Sequence, residues 1–165
     1  GEREVTADQF WPAYRTTARR DDELLLRIRI PVVPNRQMRF RKVGTRRAQA
    51  ISKVVMALAW EQPASDEAWG NVRVALGSMA ATTVRARSTE EAMEGRSPTR
   101  ETADAAVAAL SEELHPIDDV RSTEEYRRQV ASNLLGQFYA ESAPWRQPRK
   151  LEDAKKRYSR RTPEE

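Results

Sequence analysis

The sequence predicts an α+β domain: an antiparallel sheet of three to four strands followed by three helices packed on one face. Two observations carry this. Before residue 81 the apolar residues recur mainly every second position or run continuously, as in strands; after Val84 they recur at helical spacing. Strands first and helices afterwards place the helical layer on one face of an antiparallel sheet.

Residues 1–20 read as a lead-in. Thr6 or Asp8 caps a short turn carrying Phe10, Trp11 and Tyr14, and Pro12 keeps it short. Residues 23–30 alternate cleanly, with Leu24, Leu26, Ile28 and Ile30 on one side and Leu25, Arg27 and Arg29 on the other. That pattern predicts a half-buried strand ended by Pro31 and Pro34, with Leu25 an apolar residue on the polar side. A second strand is predicted over 38–43, with Met38 and Phe40 on its apolar face and Arg39 and Arg41 opposite. Gly44-Thr45-Arg46-Arg47 is a basic turn. Residues 51–60 are apolar on both faces, as in a central strand, although their length also permits a helix. A loop at 61–70 leads to a strand over 71–80, with Val72, Val74 and Leu76 on one face.

Ser88 with Glu91 three residues on predicts a capping box for a helix over 89–94, closed by Gly95. Ser97 or Thr99 starts a longer helix whose stripe is Ala103, Ala106, Val107, Leu110 and Leu114. Pro116 disfavours helical geometry at His115 and stops it there. Ser122 or Thr123 caps the last helix, over 123–140, with Glu124 and Glu125 in its first turn where negative charge suits the helix dipole. Its stripe is Tyr126, Val130, Leu134 and Phe138, flanked by Ala131 and Leu135. Between these two helices a tight corner is predicted, with Pro116, Asp118 and Arg121 locking it through charge-assisted hydrogen bonds. Three segments follow: a lead-in over 1–20, a folded domain over 21–140, and a basic, proline-punctuated tail over 141–165, read as a mobile tail or a partner-binding arm.

The 165 residues suffice for one domain with a core, and 33% charged against 39% hydrophobic residues fits a globular domain with a polar surface. No apolar run approaches membrane-spanning length, no signal peptide is evident, and a cytoplasmic location is expected. Without cysteine there is neither a disulfide framework nor a cysteine-ligated cluster. Charge is segregated along the chain. Residues 1–60 carry 13 basic and 6 acidic residues, residues 61–120 carry 5 and 12, and residues 121–165 carry 11 and 7. Either complementary faces or segments interleaved in space account for this.

Few residues offer chemistry. His115, the single histidine, stands at a helix end and is read as structural. One histidine without cysteine makes no transition-metal cluster, and there is no Gly-x-Ser-x-Gly elbow. Asp118 and Asp119 are adjacent in a turn, where side chains point apart, so they are read as a corner and not as an acid–base pair. The run Arg36, Arg39, Arg41, Lys42, Arg46, Arg47 has no aromatic platform beside it and is read as a solvated strand face; no nucleic acid is expected.

Four stretches in order carry a resemblance. They are Leu25-Leu26-Arg27-Ile28-Arg29-Ile30-Pro31; Phe40-Arg41-Lys42-Val43-Gly44-Thr45-Arg46-Arg47-Ala48-Gln49-Ala50-Ile51-Ser52; Arg73-Val74-Ala75-Leu76-Gly77 with Val84-Arg85-Ala86; and Pro116-Ile117-Asp118-Asp119-Val120-Arg121-Ser122 followed by Tyr126-Arg127-Arg128. Together they resemble the C-terminal part of the FAD-binding medium subunit of molybdenum hydroxylases, the xanthine dehydrogenase and carbon monoxide dehydrogenase type, over roughly residues 3–140.

The resemblance implies that Leu25 packs against the flavin ring and that Lys42 lies beside it and biases its redox state. It implies FAD held mainly by N-terminal domains that this sequence does not contain. It further implies a molybdopterin-binding large subunit and an iron–sulfur small subunit carrying [2Fe-2S] clusters as partners, with electrons relayed to an acceptor. The six glycines, Gly1, Gly44, Gly70, Gly77, Gly95 and Gly136, form no phosphate-cradling loop, so the chain is not expected to turn over alone. The alternative is a non-catalytic interaction module of the same fold that has lost flavin.

Overall fold

The computed structural model describes residues 1–46, 49–62 and 68–142. The elements, in order, are α1 (Ala7–Phe10), β1 (Arg36–Gly44), β2 (Ser52–Glu61), β3 (Gly70–Gly77), β4 (Val84–Arg85), α2 (Arg87–Met93), α3 (Arg100–Glu113) and α4 (Glu124–Ser142). The strands form one antiparallel sheet in the order β1-β2-β3-β4. This is the predicted α+β architecture. The basic-tail reading of 141–165 falls, from residue 143 on, outside the described residues.

β2 and β3 present Val54, Met56, Leu58, Trp60, Val72, Val74 and Leu76 on one face, all buried. The helices cover that face with Met93, Ala106, Leu110, Ala131, Leu135 and Phe138, which joins everything in one apolar core. Burial of these side chains is the main driving force for the layer. At one end Trp69 stacks between Trp60, 4.5 Å away, and Tyr139, 4.8 Å away.

Residues 23–30 correct the prediction. They form no strand, and the alternating apolar side, Leu24, Leu26, Ile28 and Ile30, lies in solvent. The pattern that predicts a strand is local, whereas a strand forms only where another strand accepts its backbone. The described residues form four strands nonetheless, because the two-residue β4 pairs with β3.

The beginning of α2 is also built differently from the prediction. Ala86 occupies the N-cap and offers no side-chain acceptor. The Glu113 carboxylate at the end of α3 instead accepts the backbone N–H groups of Ser88 (3.0 Å) and Thr89 (2.9 Å). An orphan helix donor needs an acceptor, but not one from its own neighbourhood in sequence. Glu90 of α2 and its C-cap residue Glu94 serve the sheet edge that β4 leaves uncovered. Glu90 accepts from Val74 N (2.8 Å), and Glu94 from Asn71 N (2.7 Å) and Val72 N (2.8 Å). Open strand donors are thereby satisfied within the fold. At α1 the residue predicted to cap, Thr6, occupies the N-cap but makes no side-chain cap hydrogen bond; the starts of α3 and α4 follow the sequence. Thr99 accepts from Thr102 N, and Thr123 from Tyr126 N. Gly95 follows α2 with φ +67°, a conformation that costs any residue with a Cβ. Space around it is open, so Gly95→Ala is expected to cost only backbone strain, about 1 kcal/mol in chemical denaturation. A neutral result would mean the αL turn is not maintained in solution.

Candidate functional site

The uncovered face of the sheet is set by register. Met38, Phe40 and Lys42 of β1 pair with Ala59, Ala57 and Val55 of β2, and these pair in turn with Arg73, Ala75 and Gly77 of β3. Directly paired residues share a face, so all nine lie opposite the helical core. Met38 is 68% and Phe40 59% exposed. The floor beside them is mostly small, Ala57, Ala59, Ala75 and Gly77, with Val55 and the exposed Arg73 on the same face. An exposed flat aromatic ring next to an exposed lysine is the most distinctive chemistry on this face.

Met38 and Phe40 share one side of β1, as predicted, but that apolar side points to solvent, and the arginine side points toward the helices. Arg39 lies over the Trp60 ring at 5.4 Å, and Arg41 reaches Glu141 of α4 at 3.4 Å. Long arginine stems cover apolar surface while their heads stay hydrated, so an edge strand tolerates this inversion. Arg36 pairs with Glu61 at 2.9 Å, and Arg46 donates to Gln49 O at 2.8 Å. Among the described residues the basic run therefore disperses, and Lys42 is the cation that β1 leaves on the open face; Arg47 lies outside the described residues.

Leu25, the other predicted flavin contact, is 59% exposed on the unpaired segment that precedes β1. No hydrogen bond or ion pair among the described residues ties that segment's residues 24–30 to β1. Its anchors lie at the N-terminus. Arg3 pairs with Glu23 at 2.6 Å, Glu4 with Arg29 at 2.7 Å, and Glu2 with Arg27. The Arg3 hydrogen bond, with help from the Arg20 N–H, draws the Glu23 carboxyl down to about 2.

The corner after α3 needs a correction. Pro116 is buried and α3 ends before it, as predicted. The locking carboxylate, however, is that of Asp119. It accepts the N–H of Arg121 (2.9 Å) and of Ser122 (3.2 Å), and the guanidinium of Arg127 at 2.5 Å. Asp118 is exposed, and Arg121 contributes its backbone, not its charge. An Asx-type turn is closed by the residue two before the donor, which here is Asp119. Arg127, absent from the sequence-based list, is 1% exposed and also donates to Ser78 O in the β3–β4 connection. Its only local signal is position four of a helix, where an arginine ordinarily faces water. Ile117 N donates to Met79 O at 2.8 Å, so two bonds fasten the corner to that connection. The Asp119 carboxyl lies below its usual range, chiefly through the Arg121 N–H and then through the Arg127 charge.

No helix among the described residues is long and apolar enough to cross a membrane.

Residues 39–142 match the CO dehydrogenase flavoprotein C-terminal domain family. Among solved structures, a reconstituted CO dehydrogenase from Oligotropha carboxidovorans superposes with a TM-score of 0.71 at 25% identity, covering 81% of this chain and 46% of that one. Quinoline 2-oxidoreductase from Pseudomonas putida 86 does so with 0.74 at 22% identity, covering 87% and 49%. CO dehydrogenase from Hydrogenophaga pseudoflava lacking the Mo-pyranopterin moiety gives 0.70 at 23% identity, covering 79% and 45%. The chain thus spans under half the length of each of these structures. No curated protein matches it in sequence.

Proposed function

Because the chain belongs to the CO dehydrogenase flavoprotein C-terminal domain family, we propose that it braces the ring end of FAD in the flavin subunit of a molybdenum hydroxylase. The observation that carries this is the side-by-side exposure of Phe40 and Lys42 on the sheet face that no helix of the described residues covers.

These residues fit one end of the cofactor. Phe40 and Met38 offer apolar surface to a planar ring, Leu25 adds a further apolar contact, and Lys42 supplies positive charge. Nothing here fits the pyrophosphate, because the glycines are dispersed and gather into no phosphate-binding loop. The phosphate end is held by domains beyond this chain. When bound, FAD supplies the two-electron chemistry that passes electrons to an acceptor. The chain's own part is electrostatic and steric. The Lys42 ammonium stabilises negative charge that builds on the ring upon reduction, and the apolar side chains keep water from its flank. Hydroxylation at molybdopterin and transfer through [2Fe-2S] clusters belong to the large and small partner subunits, against which this domain docks.

The test is a redox titration of the assembled enzyme. Lys42→Met is expected to lower the two-electron potential by tens of millivolts, on the order of 1 kcal/mol for a solvent-screened charge. Leu25→Ala is expected to reduce flavin content with a smaller effect on potential. An unchanged potential in the first, together with unchanged flavin content in the second, would leave the domain an interaction module without flavin contact.

A further inference from the structure

The two edges of the sheet are finished differently. Pairing fixes which main-chain groups point outward. Val72 and Val74 of β3 turn their N–H groups away from β2, to Glu94 and Glu90, so Arg73, Ala75 and Gly77 turn theirs toward it. Their β2 partners therefore face β3, and the alternate β2 residues face β1. In β1 this assigns Arg39 and Arg41 to the ladder with β2. It leaves the N–H and C=O groups of Met38, Phe40 and Lys42 on the outer edge. The side chains agree. Arg39 donates to Met38 O at 3.0 Å and Arg41 to Phe40 O at 3.3 Å, as carbonyls outside the ladder allow. The β3 edge is thus closed by carboxylates from within the fold. At the β1 edge, no partner among the described residues takes the N–H groups of Met38, Phe40 and Lys42.

We infer that the β1 edge accepts an extended acidic segment of another polypeptide, which adds a strand alongside β1. An unpaired strand edge is a template for such pairing. Charge selects the occupant. Residues 36–42 hold Arg36, Arg39, Arg41 and Lys42 and no acid. At the opposite edge, carboxylates are what this sheet already takes at its outward N–H groups. A second copy fits poorly. An antiparallel β1–β1 pair of full length is centred on Phe40 and sets Arg39 opposite Arg41 of its mate, and like charges directly opposite destabilise a pair. The alternation of β1 then dictates the partner's sequence. Directly paired residues share a face, so its apolar residues lie beside Met38 and Phe40 on the open face. Its acids lie on the other side, beside the half-buried Arg39 and the exposed Arg41. The fitting segment therefore alternates apolar and acidic residues. The inference does not rest on the flavin reading, because the main-chain groups it uses lie along the strand's edge and not on the face that receives the ring.

The probe is a capped synthetic peptide, Val-Glu-Val-Glu-Val-Glu-Val, titrated into the full 165-residue chain with amide hydrogen exchange read by NMR. Saturating peptide should slow exchange at Met38, Phe40 and Lys42 by at least about tenfold and leave Val72 and Val74, which are closed within the fold, unchanged. The same peptide with lysine in place of every glutamate should bind at least about tenfold more weakly, the worth of two exposed ion pairs. Successive residues of an added strand direct their amides to opposite sides. N-methylation of one alternate set of peptide residues should therefore abolish binding, and N-methylation of the other set should leave it intact. No protection at the highest soluble peptide concentration overturns the inference. Equal affinity for the glutamate and lysine peptides overturns it too, because charge then does not choose the occupant. Equal effects of the two methylated sets place the contact off the main chain and overturn it likewise. Protection of the same amides that grows with the concentration of the chain alone makes the occupant a second copy, which is a fourth way for the inference to fail.

Discussion

Arg127→Met is expected to destabilise the domain by about 2–3 kcal/mol in equilibrium denaturation, as for removing a charged donor from its hydrogen-bond partners. The guanidinium is almost wholly buried, and methionine fills much of its volume without replacing either bond. Ser78 O loses its donor, and Asp119 loses the cation that it faces at 2.5 Å. Asp119→Ala should move stability in the same direction, because it leaves a buried positive charge without its anion. Asp118→Ala, on the exposed neighbour, serves as the control and should lie within about 0.5 kcal/mol of the parent. The double variant Asp119→Ala with Arg127→Met should fall well short of the sum of the two singles, since both remove the same interaction. Acid dependence supplies a second readout. The folded Asp119 carboxyl titrates below its unfolded value of about 4, so its contribution is present above that pH and fades as pH falls through the depressed native value. In Arg127→Met that acid-dependent loss should shrink. A parent-like midpoint for Arg127→Met would show that the corner is not held by this pair.

Trp69→Ala should cost about 3–5 kcal/mol, the range for removing a large buried aromatic residue. Trp69 is 1% exposed and sandwiched between Trp60 and Tyr139, so its loss opens a cavity bounded by two rigid rings that cannot collapse into it. Its backbone bonds, Trp69 N to Arg96 O and Gly95 N to Trp69 O, do not depend on the side chain and should survive. The damage is then confined to packing, and Trp69→Phe should recover part of the loss. Near-UV circular dichroism should report the lost stack directly. A variant that unfolds at the parent midpoint would place Trp69 outside the core.

Where the side-chain period and the pairing partner lie close in sequence, the chain alone was sufficient. Val72, Val74 and Leu76 share a buried face, α3 stops ahead of Pro116, Thr99 caps α3, and Gly95 takes the left-handed turn. Each of these depends on steric or hydrogen-bonding rules that act over a few residues. The order of strands before helices, and with it the α+β class, was legible for the same reason. That Met38 and Phe40 share one side of their strand was legible too, because the alternation of a pleated strand is local.

Which side of β1 faces the core was not legible. Both sides carry large residues, and only the register with β2 turns Arg39 toward Trp60 and Phe40 toward solvent. The cap of α2 by Glu113, the closure of the β3 edge by Glu90 and Glu94, and the burial of Arg127 against Ser78 were hidden likewise, since each joins groups many positions apart. The failed strand at residues 23–30 makes the same point from the other direction. Alternation specifies that a segment is able to form a strand and which side chains it would bury. Whether a ladder forms, and against what, is decided by the sheet edge within its reach, and that is a property of the assembled fold.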